Sequence, residues 1–198
     1  ALQSQERAAA AIGDGRFREQ IVPVEVRVKR DTVAFEVDEH PKGTSAEALA
    51  GLRPVFQKDG TVTAGNASGI NDVAAALVLA TAEAAQGLGL KPRARIIGYA
   101  HAGVRPEVMG IGPVPAVEKL LARTGLTVKD FDVIESNEAF AAQAVAVSRN
   151  LGFDGDRVNP NGGAIALGHP VGATGAIITV KALHELERTG GTRALITM

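Results

Sequence analysis

Hydrophobic residues recur along this chain with two different periods, and each period predicts its own kind of element. Residues 21–28 alternate apolar and polar side chains, which is the pattern of a half-buried strand. Residues 173–188 show helical spacing instead, with one face formed by Ala176, Thr179, Val180 and Leu183. Across the whole chain these patterns predict helices over 1–12, 45–52, 73–86, 115–124, 139–151 and 173–188, and strands over 21–28, 33–37, 94–100, 131–135 and 193–198, with a further strand beginning at residue 61.

The order of these elements predicts an α/β fold. From residue 61 onward strands alternate with helices, as in layered α/β proteins, which bind ligands where strands end and helices begin. The helix predicted over 73–86 is apolar on nearly every face, so we expect it to be buried. Residues 31–60 lack long apolar elements and would form an excursion that covers a larger body.

Composition and charge exclude several functional classes. Of the 198 residues 45% are hydrophobic, which is enough for a sizeable core in one or two domains. The chain has 21 basic and 22 acidic residues and only 4% aromatic residues, so we expect no nucleic-acid partner. Its apolar runs are shorter than the roughly 20 residues of a membrane-spanning helix, so we expect no membrane partner and a cytoplasmic location.

The two ends of the chain predict that it belongs to a longer polypeptide. It begins without a methionine, inside a predicted helix, and it stops inside a predicted strand. Targeting signals at the native ends would therefore not be visible, and an organellar location stays open. The chain has no cysteine, which excludes disulfides and thiol chemistry within it.

A glycine-rich loop presents one histidine directly before a proline, in Asn161-Gly-Gly-Ala-Ile-Ala-Leu-Gly-His169-Pro-Val-Gly-Ala-Thr-Gly175. The proline biases His169 toward an extended backbone and so aims its ring before the next helix begins. The glycine spacing is neither that of a dinucleotide fold nor that of a nucleoside-triphosphate loop. Zinc is not indicated either, because the four histidines are far apart and cysteine is absent. A catalytic histidine and a packed turn whose histidine bonds a local carbonyl both fit this loop.

Two further loops lie at predicted strand-to-helix junctions. In the first, Asn137 precedes Glu138, and Asn137 or the serine before it could simply cap the following helix. In the second, residues 66–72, Asn71 or Asp72 could cap the next helix. The small residues of this second loop would also let an extended ligand lie against the backbone.

Four motifs in this order resemble the thiolase family, and specifically its acetyl-CoA acetyltransferases or β-ketothiolases. They are Thr63-Ala-Gly-Asn-Ala-Ser-Gly-Ile-Asn-Asp72, Met109-Gly-Ile-Gly-Pro-Val-Pro115, Asn137-Glu-Ala-Phe140 and Asn161-Gly-Gly-Ala-Ile-Ala-Leu-Gly-His-Pro170. The resemblance covers essentially the whole chain. It implies reversible Claisen condensation of acetyl-CoA with an acyl-CoA, or thiolysis of a 3-ketoacyl-CoA, through an acyl-enzyme on a cysteine.

The resemblance also implies roles for individual residues. His169 matches the histidine that activates the nucleophilic cysteine and donates to the thioester oxygen of the enolate-forming substrate. Asn137 matches the asparagine that holds the water completing this oxyanion hole, in which fixed neutral donors stabilise developing charge. The residues that match contacts to CoA or to the acyl group are Ala64, Ser68, Gly69, Ile70, Met109, Ala139 and Phe140. Lys42 falls close to the sequence position of a basic residue that contacts the nucleotide end of CoA in the family, although the surrounding sequence differs.

The architecture implied by the resemblance is the layered αβαβα thiolase fold, here incomplete. Residues 1–70 would form the latter part of the loop domain that covers CoA, 71–90 a helix of the N-terminal half, and 91–198 most of the C-terminal half. Coenzyme A would be a substrate or product rather than a permanently bound cofactor, and no metal would be needed. The protein would assemble as a homodimer or a homotetramer.

Both thiols on which the family's chemistry depends are absent from the chain. The resemblance places the nucleophile in an earlier region, and the second cysteine in a Cys-Ile-Gly-Gly-Gly-like loop just after Met198. We therefore predict that the 198 residues alone are inactive. A catalytically inert CoA-binding or structural fragment is the alternative. The decarboxylating ketoacyl synthases are disfavoured, because they have a second histidine or a different asparagine context at the position of Asn137-Glu-Ala-Phe140.

Overall fold

The computed structural model describes residues 1–198 and contains seven α-helices and four strands. The helices are α1 (Leu2–Gly13), α2 (Ala46–Ala50), α3 (Ala82–Gly87), α4 (Pro113–Thr124), α5 (Ala141–Leu151), α6 (Ala164–Leu167) and α7 (Thr174–Thr189). The strands are β1 (Val24–Val28), β2 (Asp31–Phe35), β3 (Val133–Ser136) and β4 (Ala194–Thr197), and short 3-10 turns lie at Pro106–Ile111 and Val128–Asp130. Every helix is too short or too polar to cross a lipid bilayer.

The hydrophobic core lies where β3 and β4 pair in parallel, with Ile134 opposite Leu195. Helix α4 contributes Val117 to this core, and Phe131 enters it from the turn before β3. All four residues of β3 are buried, as expected for a strand of a parallel sheet that is covered on both faces. Helix α7 packs against both strands. The carboxyl end of β3 therefore leads straight from the core into the loop that carries Asn137.

Most elements predicted from the periodicity are confirmed within a few residues. The helices predicted over 1–12, 45–52, 115–124, 139–151 and 173–188 correspond to α1, α2, α4, α5 and α7, and the strands predicted over 131–135 and 193–198 correspond to β3 and β4. The two N-terminal strands form an antiparallel hairpin in which Val28 pairs with Asp31. Its turn is tight and Lys29 has a positive φ of 57°, so β2 begins earlier than predicted.

The prediction of a helix over 73–86 is wrong for most of this segment. Only Ala82–Gly87 is helical, and this helix begins where Oγ1 of Thr81 accepts from the amide of Ala84. Val78 and Leu79 are 90% and 75% exposed within these 198 residues. A short apolar helix owes most of its stability to packing against other elements. The exposed side chains of this segment make too few such contacts to stabilise a helix.

The strand predicted over 94–100 is also wrong, because this segment has no regular structure. A strand needs a hydrogen-bonded neighbour, and Ile96 and Tyr99 are exposed in a segment that pairs with none. The strand predicted from residue 61 is reduced to one antiparallel bridge between Pro54 and Thr63.

Helix α7 buries a different face from the predicted one. The side chains that it buries are Thr174, Ile178, Lys181, Ala182 and Glu185, whereas those on the predicted face are only partly buried. The predicted face contained no charged residue of α7. Inside the fold, Lys181 and Glu185 have charged or polar partners, which makes their burial tolerable.

Candidate active site

The backbone around His169 is held by contacts with a second loop. Gly168 has a φ of +94°, and a Cβ at this position would collide with the side chain of Asn71, so the position requires glycine. The amide of His169 donates to the carbonyl of Gly69 at 2.9 Å. The glycine-rich loop and the loop over 66–72 therefore fix each other, and with them the point from which the histidine ring projects.

Both nitrogens of the His169 ring lie against side chains. Nε2 is 3.3 Å from Nδ2 of Asn137, and Nδ1 is 2.7 Å from Oγ1 of Thr174. Burial lowers the pKa of His169 below its ordinary value of 6.5, so the imidazole is neutral at pH 7. The ring thus bonds two side chains and not the local carbonyl that the packed-turn interpretation requires.

Asn137 lies directly after β3 and is buried. Its amide donates to the carbonyl of Thr197 at 2.9 Å, which continues the pairing of β3 with β4. Asn159 fixes the preceding residue, because its side chain accepts from the amide of Ser136 at 2.9 Å and donates to its carbonyl at 2.7 Å. With Nδ2 beside His169, Oδ1 of Asn137 is buried and has no hydrogen-bond partner. The site therefore contains a fixed acceptor next to the histidine.

Neither asparagine loop caps a helix. Helix α5 begins after Phe140 without a side-chain cap, and α3 begins after Thr81. The cap interpretations of Asn137, and of Asn71 or Asp72, are therefore wrong. In place of a cap, Asn71 packs against the glycine-rich loop, and Asn137 contacts the histidine.

Glu138 joins the asparagine loop to the glycine-rich loop. Its carboxylate accepts from Oγ of Ser4 at 2.6 Å, from Nδ2 of Asn159 at 3.2 Å and from the amide of Ile165 at 3.3 Å. A Cβ at position 163 would collide with this carboxylate. Glycine is therefore needed there, because it lets the carboxylate approach the backbone closely. The sequence alone indicates no link between Glu138 and the glycine-rich loop. Its position between two site loops was not visible without the fold.

The loop over 66–72 pairs with the chain just after Asn137. The amide and the hydroxyl of Ser68 both lie close to the carbonyl of Ala139, at 3.0 Å and 3.1 Å. Ala67 and Phe140 form an isolated antiparallel bridge, and the ring of Phe140 meets that of Phe56 edge to face at 6.4 Å. The structure thus brings six predicted site residues into three contacting loops, namely Ser68, Gly69, Asn137, Ala139, Phe140 and His169.

Of the other four predicted binding residues, Ile70 lies in the loop over 66–72 and the remaining three lie outside the three loops. Ala64 and Ile70 are exposed, and Met109 is exposed in a 3-10 turn beside α5. Lys42 is exposed, and only its backbone amide is bonded, to Gln5 at 3.5 Å. No hydrogen bond connects any of the four with His169 or Asn137.

A buried ion pair lies beneath the glycine-rich loop. Nζ of Lys181 is 2.8 Å from Oε2 of Glu135 and donates to the carbonyl of Gly162 at 2.7 Å. Burial raises the pKa of Glu135, and the positive charge of Lys181 opposes this rise. One turn further along α7, Glu185 accepts from Nδ2 of Asn161 at 2.8 Å. Helix α7 therefore supports the first residues of the loop, a role that the sequence analysis missed.

His169 and Asn137 together form a proton acceptor beside a fixed side-chain amide. A neutral imidazole can take a proton from an acid that approaches Nε2 and can then donate it to an oxygen. Asn137 contributes one donor toward the ring and one free acceptor on the other side. No group of three or more acidic or histidine side chains comes together in a way that could hold a metal ion.

Models of known families cover nearly all of the chain. The model described as thiolase, C-terminal domain, matches residues 90–198, and the model described as thiolase, N-terminal domain, matches residues 1–83. A protein named beta-ketothiolase BktB, from Cupriavidus necator, is 58% identical over 200 residues, which cover 100% of this chain and 51% of that protein.

Solved structures share the same fold. The crystal structure of the Bacillus anthracis acetyl-CoA acetyltransferase has a TM-score of 0.96 and 51% identity, and the match covers 98% of this chain and 50% of that one. The crystal structure of human mitochondrial 3-ketoacyl-CoA thiolase in complex with CoA has a TM-score of 0.88 and 46% identity, over 98% of this chain and 49% of that one. The chain thus spans about half the length of the relatives that it matches.

Proposed function

Because the chain belongs to the thiolase family, as its motifs predict, we propose that it forms the histidine-bearing part of an acyl-CoA acyltransferase. The predicted fold is confirmed as well, since a solved thiolase superposes on it with a TM-score of 0.96. The proposed reaction is reversible Claisen condensation of acetyl-CoA with an acyl-CoA, or thiolysis of a 3-ketoacyl-CoA. Coenzyme A enters and leaves as a substrate or product.

The observation that carries this proposal is the contact between Nε2 of His169 and Nδ2 of Asn137, at 3.3 Å. In the first half-reaction a cysteine thiol, which these 198 residues do not contain, loses its proton to Nε2. Its sulfur then bonds the acyl carbon, the bond from this carbon to the CoA sulfur breaks, and CoA leaves as a thiolate that takes a proton from solvent. In the second half-reaction the α-carbon of acetyl-CoA loses a proton to the thiolate of a second cysteine and attacks the acyl carbon. The bond from this carbon to the first cysteine breaks, and the released sulfur takes the proton back from the second thiol.

Charge develops on the thioester oxygen when the α-carbon is deprotonated. His169, once it is protonated at Nε2, donates to that oxygen. A water that donates one hydrogen to the free Oδ1 of Asn137 directs its other hydrogen there too. The positions of the His169 ring and of Oδ1 of Asn137 are preorganised, because β3 and the glycine-rich loop hold them before substrate arrives.

The binding surface for CoA is proposed along the loop over 66–72. Small side chains there leave the backbone accessible, and the contact of Ser68 with Ala139 brings this loop close to Asn137, which supports the proposal. The solved human relative is a complex with CoA, which supports the assignment by similarity. Ala64, Ile70, Met109 and Lys42 belong to the same proposal and rest on the resemblance alone.

The domain organisation and the assembly are proposals of the same kind. Residues 1–70 would cover CoA, 71–90 would belong to the N-terminal half, and 91–198 would form most of the C-terminal half. A homodimer or a homotetramer is expected, and light scattering of the purified protein measures which of the two forms.

The experiment that tests the function uses the full-length protein in a thiolysis assay with acetoacetyl-CoA and CoA. His169→Ala is expected to lower kcat by about 10²–10³, the usual effect of losing one oxyanion donor, while CoA affinity in calorimetric titration stays close to wild type. Asn137→Ala should cost less, because a second water can partly replace the one that it holds. The matched controls are His101→Ala and Asn150→Ala, at exposed positions outside the site.

Two outcomes would contradict the proposal. Wild-type turnover by His169→Ala would remove this residue from the chemistry. A wild-type protein that binds CoA but turns over neither acetoacetyl-CoA nor longer 3-ketoacyl-CoA substrates would support the inert CoA-binding alternative.

A further inference from the structure

On the basis of the acyl transfer proposed above, we propose that Thr174 is a positioning residue that keeps the proton of neutral His169 on Nδ1. The lone pair of Nε2 is then directed at the site, ready to accept a proton. Thr174 is the first residue of α7 and is almost fully buried, so its hydroxyl has few possible partners.

The hydroxyl of Thr174 has only one proton to donate. Its Oγ1 lies 3.0 Å from the carbonyl of Pro170, four residues earlier, which is the bond that helical threonines commonly make. With the hydroxyl proton used there, only lone pairs remain to face Nδ1 of His169 at 2.7 Å. A contact this short requires a hydrogen between the two atoms, and that hydrogen must therefore be on Nδ1.

The other side of the ring leads to the same assignment. Nδ2 of Asn137 can only donate, and it lies 3.3 Å from Nε2. A proton on Nε2 would place two donors face to face. Because a neutral imidazole carries one proton, Nε2 accepts and Nδ1 donates. Asn137, in the loop after β3, and Thr174, on α7, thus favour the same tautomer through contacts with the two different ring nitrogens.

This tautomer suits a residue that must receive a proton. When a thiol transfers its proton to Nε2, the ring becomes doubly protonated and its Nδ1–H keeps its bond to Oγ1 of Thr174. On one side of the ring the amide of Asn137 must give up its bond to Nε2 when the proton arrives. On the other side Oγ1 of Thr174 keeps its place and stabilises the cation that forms. The opposite tautomer would present a donor to the thiol and could not activate it.

The tautomer can be read directly from the nitrogen resonances of the full-length protein. In protein labelled with ¹⁵N-histidine, at a pH above the histidine pKa, Nδ1 of His169 should have the shift of a protonated ring nitrogen and Nε2 that of an unprotonated one. The His169→Ala variant identifies the signals by their loss. A spectrum that shows the proton on Nε2 overturns the proposal, whether or not the protein is active. In that case the side-chain amide of Asn137 has the reverse orientation, and the hydroxyl of Thr174 donates to Nδ1.

Variants then test the role of the hydroxyl. Thr174→Val keeps the shape of the side chain but removes the acceptor, so the Nδ1–H signature should weaken, because Asn137 alone then favours this tautomer. kcat should fall by about 10- to 100-fold, the equivalent of one hydrogen bond to a charged group, with little change in KM. The acid limb of the kcat profile should move to lower pH than in the wild type, because the imidazolium loses an acceptor and its pKa falls. Thr174→Ser, which keeps the oxygen, should restore both the tautomer and most of the turnover.

The matched control is Thr179→Val. Oγ1 of Thr179 makes the same backward bond, to the carbonyl of Gly175 at 2.7 Å, but it has no histidine partner. This control should change neither the spectrum nor the pH profile. If Thr174→Val lowers stability but leaves the tautomer and kcat unaltered, its role is structural and the proposal fails. If Thr174→Val does not fold, the wild-type spectrum still decides. If the full-length protein has the expected tautomer but no thiolase turnover, the proposed function is refuted and the assignment of the proton to Nδ1 still holds.

Discussion

At the scale of single residues, Ser68 has both a structural contact and a proposed place in the ligand site. Its amide and its hydroxyl lie against the same acceptor, the carbonyl of Ala139. Loss of the hydroxyl therefore leaves that carbonyl with its backbone partner, and the cost in stability should stay near 1 kcal/mol. A larger side chain would in addition fill the space beside the loop over 66–72, where we place CoA.

We predict that Ser68→Leu raises KM for acetyl-CoA while the melting temperature stays close to wild type, because the new side chain obstructs the ligand more than it disturbs the fold. Ser68→Ala is the control, since it removes the hydroxyl without adding bulk and should leave KM nearly unchanged. Calorimetric titration with CoA and a thermal scan measure the two effects. Unchanged affinity together with a lowered melting temperature would remove Ser68 from the site.

At the scale of elements, the buried pair of Lys181 and Glu135 joins α7 to β3. The side chains of both residues are nearly inaccessible, and Lys181 also supports the carbonyl of Gly162 at the start of the glycine-rich loop. Removal of one partner from such a pair leaves an uncompensated buried charge, whereas removal of both does not. The pair therefore connects the packing of α7 to the position of the loop that presents His169.

We predict that Lys181→Met lowers the free energy of unfolding by about 3–5 kcal/mol, because Glu135 loses its counter-charge in a buried site. The double variant Glu135→Leu with Lys181→Met should recover most of this loss. Lys129→Met is the control, since Lys129 is exposed and makes no ion pair. Urea unfolding of the full-length protein measures all three. A cost below about 1 kcal/mol for Lys181→Met, which is typical of exposed pairs, would contradict the structural role.

At the scale of the whole molecule, the site is assembled from segments that are distant in the sequence. Ser4 contacts Glu138 across 134 positions, and His169 contacts Asn137 across 32. At the same time many large apolar side chains between residues 70 and 100 are exposed, among them Ile70, Val78, Leu79, Ile96 and Tyr99. An apolar surface of this extent favours association.

We predict that the purified 198-residue chain does not cleave acetoacetyl-CoA, because it contains no thiol to form the acyl-enzyme. The assay compares it with full-length protein at equal molar concentration, in a preparation free of host thiolase. The same chain should elute from size exclusion as an associated species. Turnover by the isolated chain would refute the cysteine mechanism for this protein.

The sequence by itself determined the elements whose signals are local and indicated the pair of residues that we propose as catalytic. Helices α1, α4, α5 and α7 and strands β3 and β4 could be predicted because their periodicity and their turn residues lie within one short segment. His169 and Asn137 could be named because four motifs in order resemble one family, which the comparisons confirm. Neither result required knowledge of which segments touch.

Only the tertiary structure decided what depends on contacts between distant segments. Whether residues 73–86 and 94–100 form a helix and a strand depends on packing and pairing partners, and without them both segments are irregular here. Lys181 and Glu185 face inward because partners on β3 and in the glycine-rich loop offset the cost of burying their charges, a balance that no local pattern contains. The tautomer of His169 is decided in the same way, since it follows from two side chains that meet the ring only after β3 and α7 have packed together.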